Sequence, residues 1–274
     1  MKKQTQPILF IILMLLFVST PLLNSCSDDD SDPQEETGGD TDTDDTDTDT
    51  DTDTDTDTDT DTDTGNNQCE GKNNLIYQEK DGLVVVEFES IKEANGWTVE
   101  RDVDGFLGTD YIIWKGDQFL GNPGNGLLTF KIQITNPGTY QFLWRSRFNK
   151  GNQGSEHNDS WLRFDDADQF FGQKNTSIVY PADRGKTPTP RGSSKDGWFK
   201  IYRSGNESWK WQSKTSDNDA HDIFVVFDNP GTYLMEVSAR STYHALDRFV
   251  LFNESVSKQD ATKDDAELSQ ISCE

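Results

Sequence analysis

The chain is 274 residues long and strongly acidic, with 50 acidic against 25 basic side chains and a formal net charge of −25 at pH 7. The charge is uneven: residues 27–64 hold nineteen acids and no base, whereas residues 70–254 hold 26 acids and 21 bases without a basic stripe, which argues against nucleic acid as a partner. An aromatic content of 11%, with seven tryptophans, leaves enough apolar surface for one sizeable core after residue 68.

The chain opens with Lys2-Lys3, an apolar run from Ile8 to Val18, and Leu23-Asn24-Ser25-Cys26. A basic start, a short apolar centre and a small residue before the cut describe an export signal over residues 1–25, too short to span a bilayer. The cysteine after the cut resembles the lipobox of bacterial lipoproteins. That resemblance implies lipidation of Cys26 and a membrane anchor; the alternative is an ordinary cleaved signal with a chance cysteine. Residues 26–68 form an acidic segment that becomes a strict Thr-Asp repeat from Thr46 to Thr64. It has little apolar surface to bury and its charges repel, so a disordered, hydrated tether is expected. Its acidic start also resembles the surface-export signal of outer-membrane lipoproteins in glycan-degrading bacteria. The implied location is the outer membrane, facing the cell exterior; the alternative is a periplasmic spacer.

If Cys26 carries lipid, Cys69 and Cys273 are an even pair in an oxidising compartment. They bracket the folded part, and domain ends often lie close together, so a Cys69–Cys273 disulfide is expected. Two free thiols near frayed ends are the alternative.

Residues 69–254 read as one all-β domain, with 255–274 as a polar C-terminal tail. Short apolar runs are separated by Gly, Asn, Asp and Pro, and no long stretch carries a helical stripe. The expected strands are 83–88, 111–114, 127–134, 140–145, 161–164, 198–202, 223–227, 233–239 and 246–252, with a helical turn within 90–96. This pattern indicates a β-sandwich. Asn136-Pro137-Gly138-Thr139-Tyr140 recurs as Asn229-Pro230-Gly231-Thr232-Tyr233. Pro-Gly suits the centre of a type II turn, so two similar hairpins are expected. Phe130, Phe142, Phe164, Phe224 and Phe249 are expected to be plain core.

Three pieces resemble malectin-like and family-six carbohydrate-binding modules. Val86-Glu87-Phe88-Glu89 resembles their opening strand. Asn158-Asp159-Ser160-Trp161-Leu162-Arg163-Phe164 resembles their mid-domain strand. Gly231-Thr232-Tyr233-Leu234, Arg240 and Leu246-Asp247-Arg248-Phe249-Val250-Leu251 resemble their closing signature. The resemblance implies a galactose-binding-like jelly roll with glycan ligands. Two departures stand out: the loop before Asp247 lacks the usual glycine, and residues 172–196 form a long basic segment, so an acidic glycan is also open. The resemblance further implies a structural Ca²⁺ held by Glu87, Glu89 and Asp247, since strand alternation puts both glutamates on one face. The alternative is an acidic strand edge paired with Arg248 or a lysine.

Trp209 and Trp211 alternate among polar residues and therefore share a face, as a stacking platform for sugar rings or as caps on the core. Trp161 lies opposite Leu162 and Phe164 and is expected to face a cleft. By resemblance, Tyr243 and His244 line the sugar site. Asn158 and Asp159 can meet hydroxyl groups, or lie in a solvated connector, and Arg145 can meet a carboxylate or sulfate, or form a salt bridge to a nearby acid. Motifs for nucleophilic, zinc or phosphate chemistry do not occur. The function expected is therefore non-catalytic capture of a polysaccharide or oligosaccharide, next to neighbouring glycan-uptake or glycan-degrading proteins. A polysaccharide-cleaving enzyme, with Glu156 and Asp159 as its carboxylates, is the first alternative. A protein-binding adhesion module is the second.

Overall fold

The structure is a computed structural model that describes residue 69, residues 74–91 and residues 93–273. The expected export signal, Cys26 and the expected Thr-Asp tether lie outside the described residues. Among the described residues no helix is long and apolar enough to cross a membrane.

Two sheets face each other. The first has seven strands, in the order β10 (Ser194–Lys195), β11 (Trp198–Tyr202), β7 (Asp159–Phe164), β14 (Gly231–Ser238), β5 (Leu128–Ile134), β1 (Leu75–Gln78) and β16 (Ile271–Cys273). The second has nine. Its main path runs β3 (Thr98–Glu100), β4 (Tyr111–Ile113), β15 (His244–Phe252), β6 (Gly138–Phe148), β13 (Asp222–Phe227), β8 (Gln169–Lys174) and β9 (Ser177–Val179). In the same sheet β2 (Leu83–Glu87) pairs with β15, and β12 (Lys210–Trp211) with β6. The chain crosses repeatedly between the sheets, among other places at β5–β6, β6–β7, β7–β8, β13–β14 and β14–β15, which makes the sandwich a jelly roll.

The core follows from strand alternation. Phe130 and Ile132 of β5, Leu162 and Phe164 of β7, Phe142 and Trp144 of β6, and Phe249 and Leu251 of β15 point inward and are buried. Rings from the two sheets meet edge to face: Phe130 and Phe249 have centroids 5.1 Å apart, and Phe142 and Phe164 6.2 Å.

The repeated Asn-Pro-Gly-Thr-Tyr segments are not hairpins. Each carries the chain from one sheet to the other, β5 to β6 and β13 to β14. In each, the tyrosine hydroxyl donates to the asparagine carbonyl four residues upstream: Tyr140 to Asn136 at 2.6 Å and Tyr233 to Asn229 at 2.8 Å. The hydroxyls pin the corners, and both rings rest on Phe227, at 5.6 and 4.5 Å. The expected type II turns do not form, since Gly138 is nearly extended at φ 154° and Gly231 is not among the positive-φ glycines, whereas such a turn needs φ of about +80° there.

Residues 255–273 are not a loose tail. Cys69 and Cys273 form a disulfide, and β16 pairs with β1. The helical turn α1 (Lys258–Ala261) lies over the outer face of the nine-stranded sheet, where Ala261 packs in a buried cluster with Val85, Leu143, Val250 and Phe252. The expected helical turn within 90–96 is instead a 3₁₀ turn at Phe88–Ser90.

Candidate functional site

Four of the expected ligand residues are interior. Trp161 does point away from the main core, but it is 1% exposed: its indole N–H donates to the Phe119 carbonyl at 3.0 Å and the Arg240 guanidinium covers its ring. Asn158 donates to the carbonyls of Gly154 and Arg203. Asp159 accepts from Arg240 at 2.6 Å and from Ser241, with Lys200 at 3.5 Å. These contacts neutralise it, so it is no more a solvent-facing catalytic carboxylate than a sugar ligand. His244 is fully buried between Trp144 and Ser160, and burial beside Arg203 pushes its pKa down to about 3. The loop expected to carry it has already ended, because β15 begins at His244.

The two tryptophans of the expected platform lie in separate clusters. Trp211 packs with Leu143, Val85 and the C-terminal segment, and its indole N–H is buried. Trp209 is half-buried against Tyr111 at 5.1 Å, under the guanidinium groups of Arg145 and Arg147, with its N–H on the Asp104 carbonyl. Of the expected loop residues, Tyr243 alone keeps a partly open ring. It is half-buried, with Lys150 4.8 Å from its centroid and the His157 ring 6.3 Å away.

Arg145 forms an ion pair with Asp247, which also accepts from the Leu107 N–H at 3.1 Å. Glu87 pairs through one oxygen with Arg248. Glu89 lies in the 3₁₀ turn, not on the strand, yet its carboxylate and that of Glu87 both approach Gly108. One oxygen of each glutamate, Oε2, is buried without a partner. Burial and the nearby charges of Glu87, Asp247 and Asp110 push Glu89 up to about 8. Among the described residues no set of three acids, histidines or cysteines converges on a metal position. Of the three residues expected to hold Ca²⁺, Asp247 is already taken by Arg145, and the two glutamates each keep one buried oxygen without a partner.

An open aromatic surface lies elsewhere, where the sequence suggested only core. In Ile223-Phe224-Val225-Val226-Phe227 both faces are apolar, and register decides which is which. Ile223, Val225 and Phe227 are fully buried; Phe224 and Val226 face outward and are half-buried. Phe224 stands opposite Gln141 of β6 on one side and Phe171 of β8 on the other, while Gln141 pairs with Phe252 of β15. Side chains of one row across a sheet sit side by side. The row Phe252–Gln141–Phe224–Phe171 therefore crosses four strands, and Tyr180 extends it, 6.4 Å from Phe171. The Phe171 and Phe224 rings are within 18° of parallel, with centroids 5.6 Å apart. At the Phe252 end the row opens into a hollow of about 460 Å³, lined also by Thr139, Asn253, Glu254 and Val256. Apolar ring surface beside an amide, a hydroxyl and a carboxylate can take a ligand with both C–H faces and hydroxyl groups.

No family model matches the chain. No curated protein matches it either. Among solved structures it is similar to a Podospora anserina GH26-CBM35 β-(1,4)-mannanase, with 14% identity and a TM-score of 0.36 over 66% of this chain and 30% of that one. It is also similar to the Arthrobacter globiformis T6 isomalto-dextranase complexed with panose, with 14% identity and a TM-score of 0.33 over 63% of this chain and 24% of that one. A β-1,3-glucan-binding CBM6 from Bacillus halodurans shows 13% identity and a TM-score of 0.33 over 65% of this chain and 98% of its own. The chain thus spans less than a third of the first two proteins.

Proposed function

We propose that this protein is a non-catalytic glycan-binding lipoprotein, anchored through Cys26 and displayed at the cell surface, that captures a polysaccharide for degradation or uptake. The observation that carries the binding part is the outward row of Phe224 and Phe171, running into the hollow beside Phe252. Its rings offer apolar faces to the C–H side of a sugar, and Gln141, Thr139 and Asn253 meet the hydroxyl groups. The names of the similar structures, which include a β-1,3-glucan-binding module, agree with this ligand class. Anchoring and surface display rest on the sequence of residues 1–64. A structural Ca²⁺ at Glu87 and Glu89 belongs to the same reading; their free buried oxygens support it, and a melt unchanged by chelator removes it.

Affinity electrophoresis against laminarin, mannan, dextran and polygalacturonate tests the binding. At least one glycan should retain the protein without release of new reducing ends. In the Phe171→Ala/Phe224→Ala double variant, retention should weaken at least tenfold, while Tyr243→Ala should leave it within twofold. The reverse pattern would move the site to the loop end, and new reducing ends would make the protein an enzyme.

A further inference from the structure

The end of the inter-sheet space beneath the 149–158 and 239–243 loops is polar, and its polar groups do not satisfy one another. Arg203, which follows β11, continues the inward alternation of Phe199 and Ile201 and is fully buried. One guanidinium nitrogen, Nη1, donates to the Asn206 carbonyl; Nε and Nη2 have no partner. The guanidinium lies over the Phe148 ring, with 5.5 Å from Cζ to the centroid. Phe148 stands opposite His244 across the β6–β15 ladder, and His244 meets the Trp144 ring at 5.7 Å. Trp144, Ser146 and Phe148 alternate on the same inward face of β6, and all are fully buried. Trp144 Nε1, Ser146 Oγ and His244 Nε2 are likewise without partners. His244 Nδ1 shares a 2.8 Å hydrogen bond with Ser160 Oγ; when Ser160 donates, Nε2 carries the ring proton and becomes a donor. Asn158 Oδ1 is the one pure acceptor left over at this end.

A guanidinium sealed from water without a counter-charge costs several kcal/mol. Each unmet buried donor adds about 1–3 kcal/mol. Of the nearest charges, Arg147 repels Arg203, while Glu207 attracts it only from an exposed loop position and makes no hydrogen bond to it. One buried positive charge among neutral N–H and O–H donors is the complement of a small monovalent anion. We propose that Arg203, with Trp144, Ser146 and His244, forms an internal chloride site that closes the loop end of the sandwich. The full enclosure of Arg203 excludes a polymer carboxylate, so the site is separate from glycan capture.

The test is thermal melting of the purified chain in sodium chloride against sodium gluconate, at constant ionic strength. An anion bound only by the folded state stabilises it with the logarithm of its concentration. The wild type should gain roughly 3–6 °C per tenfold rise in chloride above the dissociation constant. Arg203→Met should show no chloride dependence, and Ser146→Ala should need several-fold more chloride for the same gain. Should Arg203→Met fail to fold, bromide-soaked wild-type crystals decide, through an anomalous peak within hydrogen-bonding reach of Arg203 Nη2. A melt indifferent to chloride, or crystals with water alone at that position, would overturn the proposal.

Discussion

At the scale of single residues, the buried charge of Glu79 is held by short-range donors. Glu79 is 4% exposed, and its carboxylate accepts from the backbone N–H groups of Gly82, Thr135 and Asn136 and from the side chains of Thr135 and Asn136. Burial by itself would raise its pKa, but the hydrogen bonds outweigh that and hold it below the usual carboxylate range. The folded state therefore gains stability above the unfolded pKa and loses it as pH falls through the folded value. Glu79→Gln should cost about 2 kcal/mol at pH 7 by urea denaturation. Its stability should also fall less than that of the wild type between pH 5 and pH 3. Equal acid sensitivity of the two proteins would show that this carboxylate does not matter. The same residue scale separates what the sequence could suggest from what it could not. Trp161 was legible as facing away from Leu162 and Phe164, but not as covered by Phe119 and Arg240, which are distant in sequence.

Among the elements, the two Asn-Pro-Gly-Thr-Tyr corners do related work with unequal burial. Tyr140 is fully buried, whereas Tyr233 is half-buried. Tyr140→Phe should cost about 1–2 kcal/mol, because its hydroxyl bond to the Asn136 carbonyl is partly shielded from water, and Tyr233→Phe about 0.5 kcal/mol, because its bond is exposed and water can replace its hydroxyl. Both rings touch Phe227, so the double variant should depart from the sum in a double-mutant cycle. Equal costs for the two single changes would mean that burial does not set the strength of the corners. The strands themselves were largely legible, with nine expected segments overlapping β2, β4, β5, β6, β7, β11, β13, β14 and β15. Short edge strands such as β9, β10 and β12 carry two or three residues and no alternation long enough to detect. Phe224 was misassigned for the opposite reason: a run apolar on both faces has no period to read.

For the whole molecule, closure depends on joining the two ends. The disulfide spans 204 residues, and beside it β16 pairs with β1, which pairs in parallel with β5. Cys273→Ser should cost about 2–5 kcal/mol, with amide exchange rising first in β1 and β16. Unchanged protection in those strands would show that the ladder holds without the covalent link. The C-terminal segment also decides which part of the outer sheet face is open. It covers Val85, Leu143 and Trp211 and leaves Phe224 and Phe171 uncovered.

The sequence by itself determined the all-β class, most strands and the split between an acidic N-terminal segment and a nearly neutral domain. Those follow from local alternation, turn residues and composition, which act over a few neighbours. Only the tertiary structure decided that Trp211 is covered, that His244 and Asp159 are interior, and that the open aromatic row is Phe224 with Phe171. Exposure is a property of what packs on top, and here the covering residues are tens to hundreds of positions away along the chain.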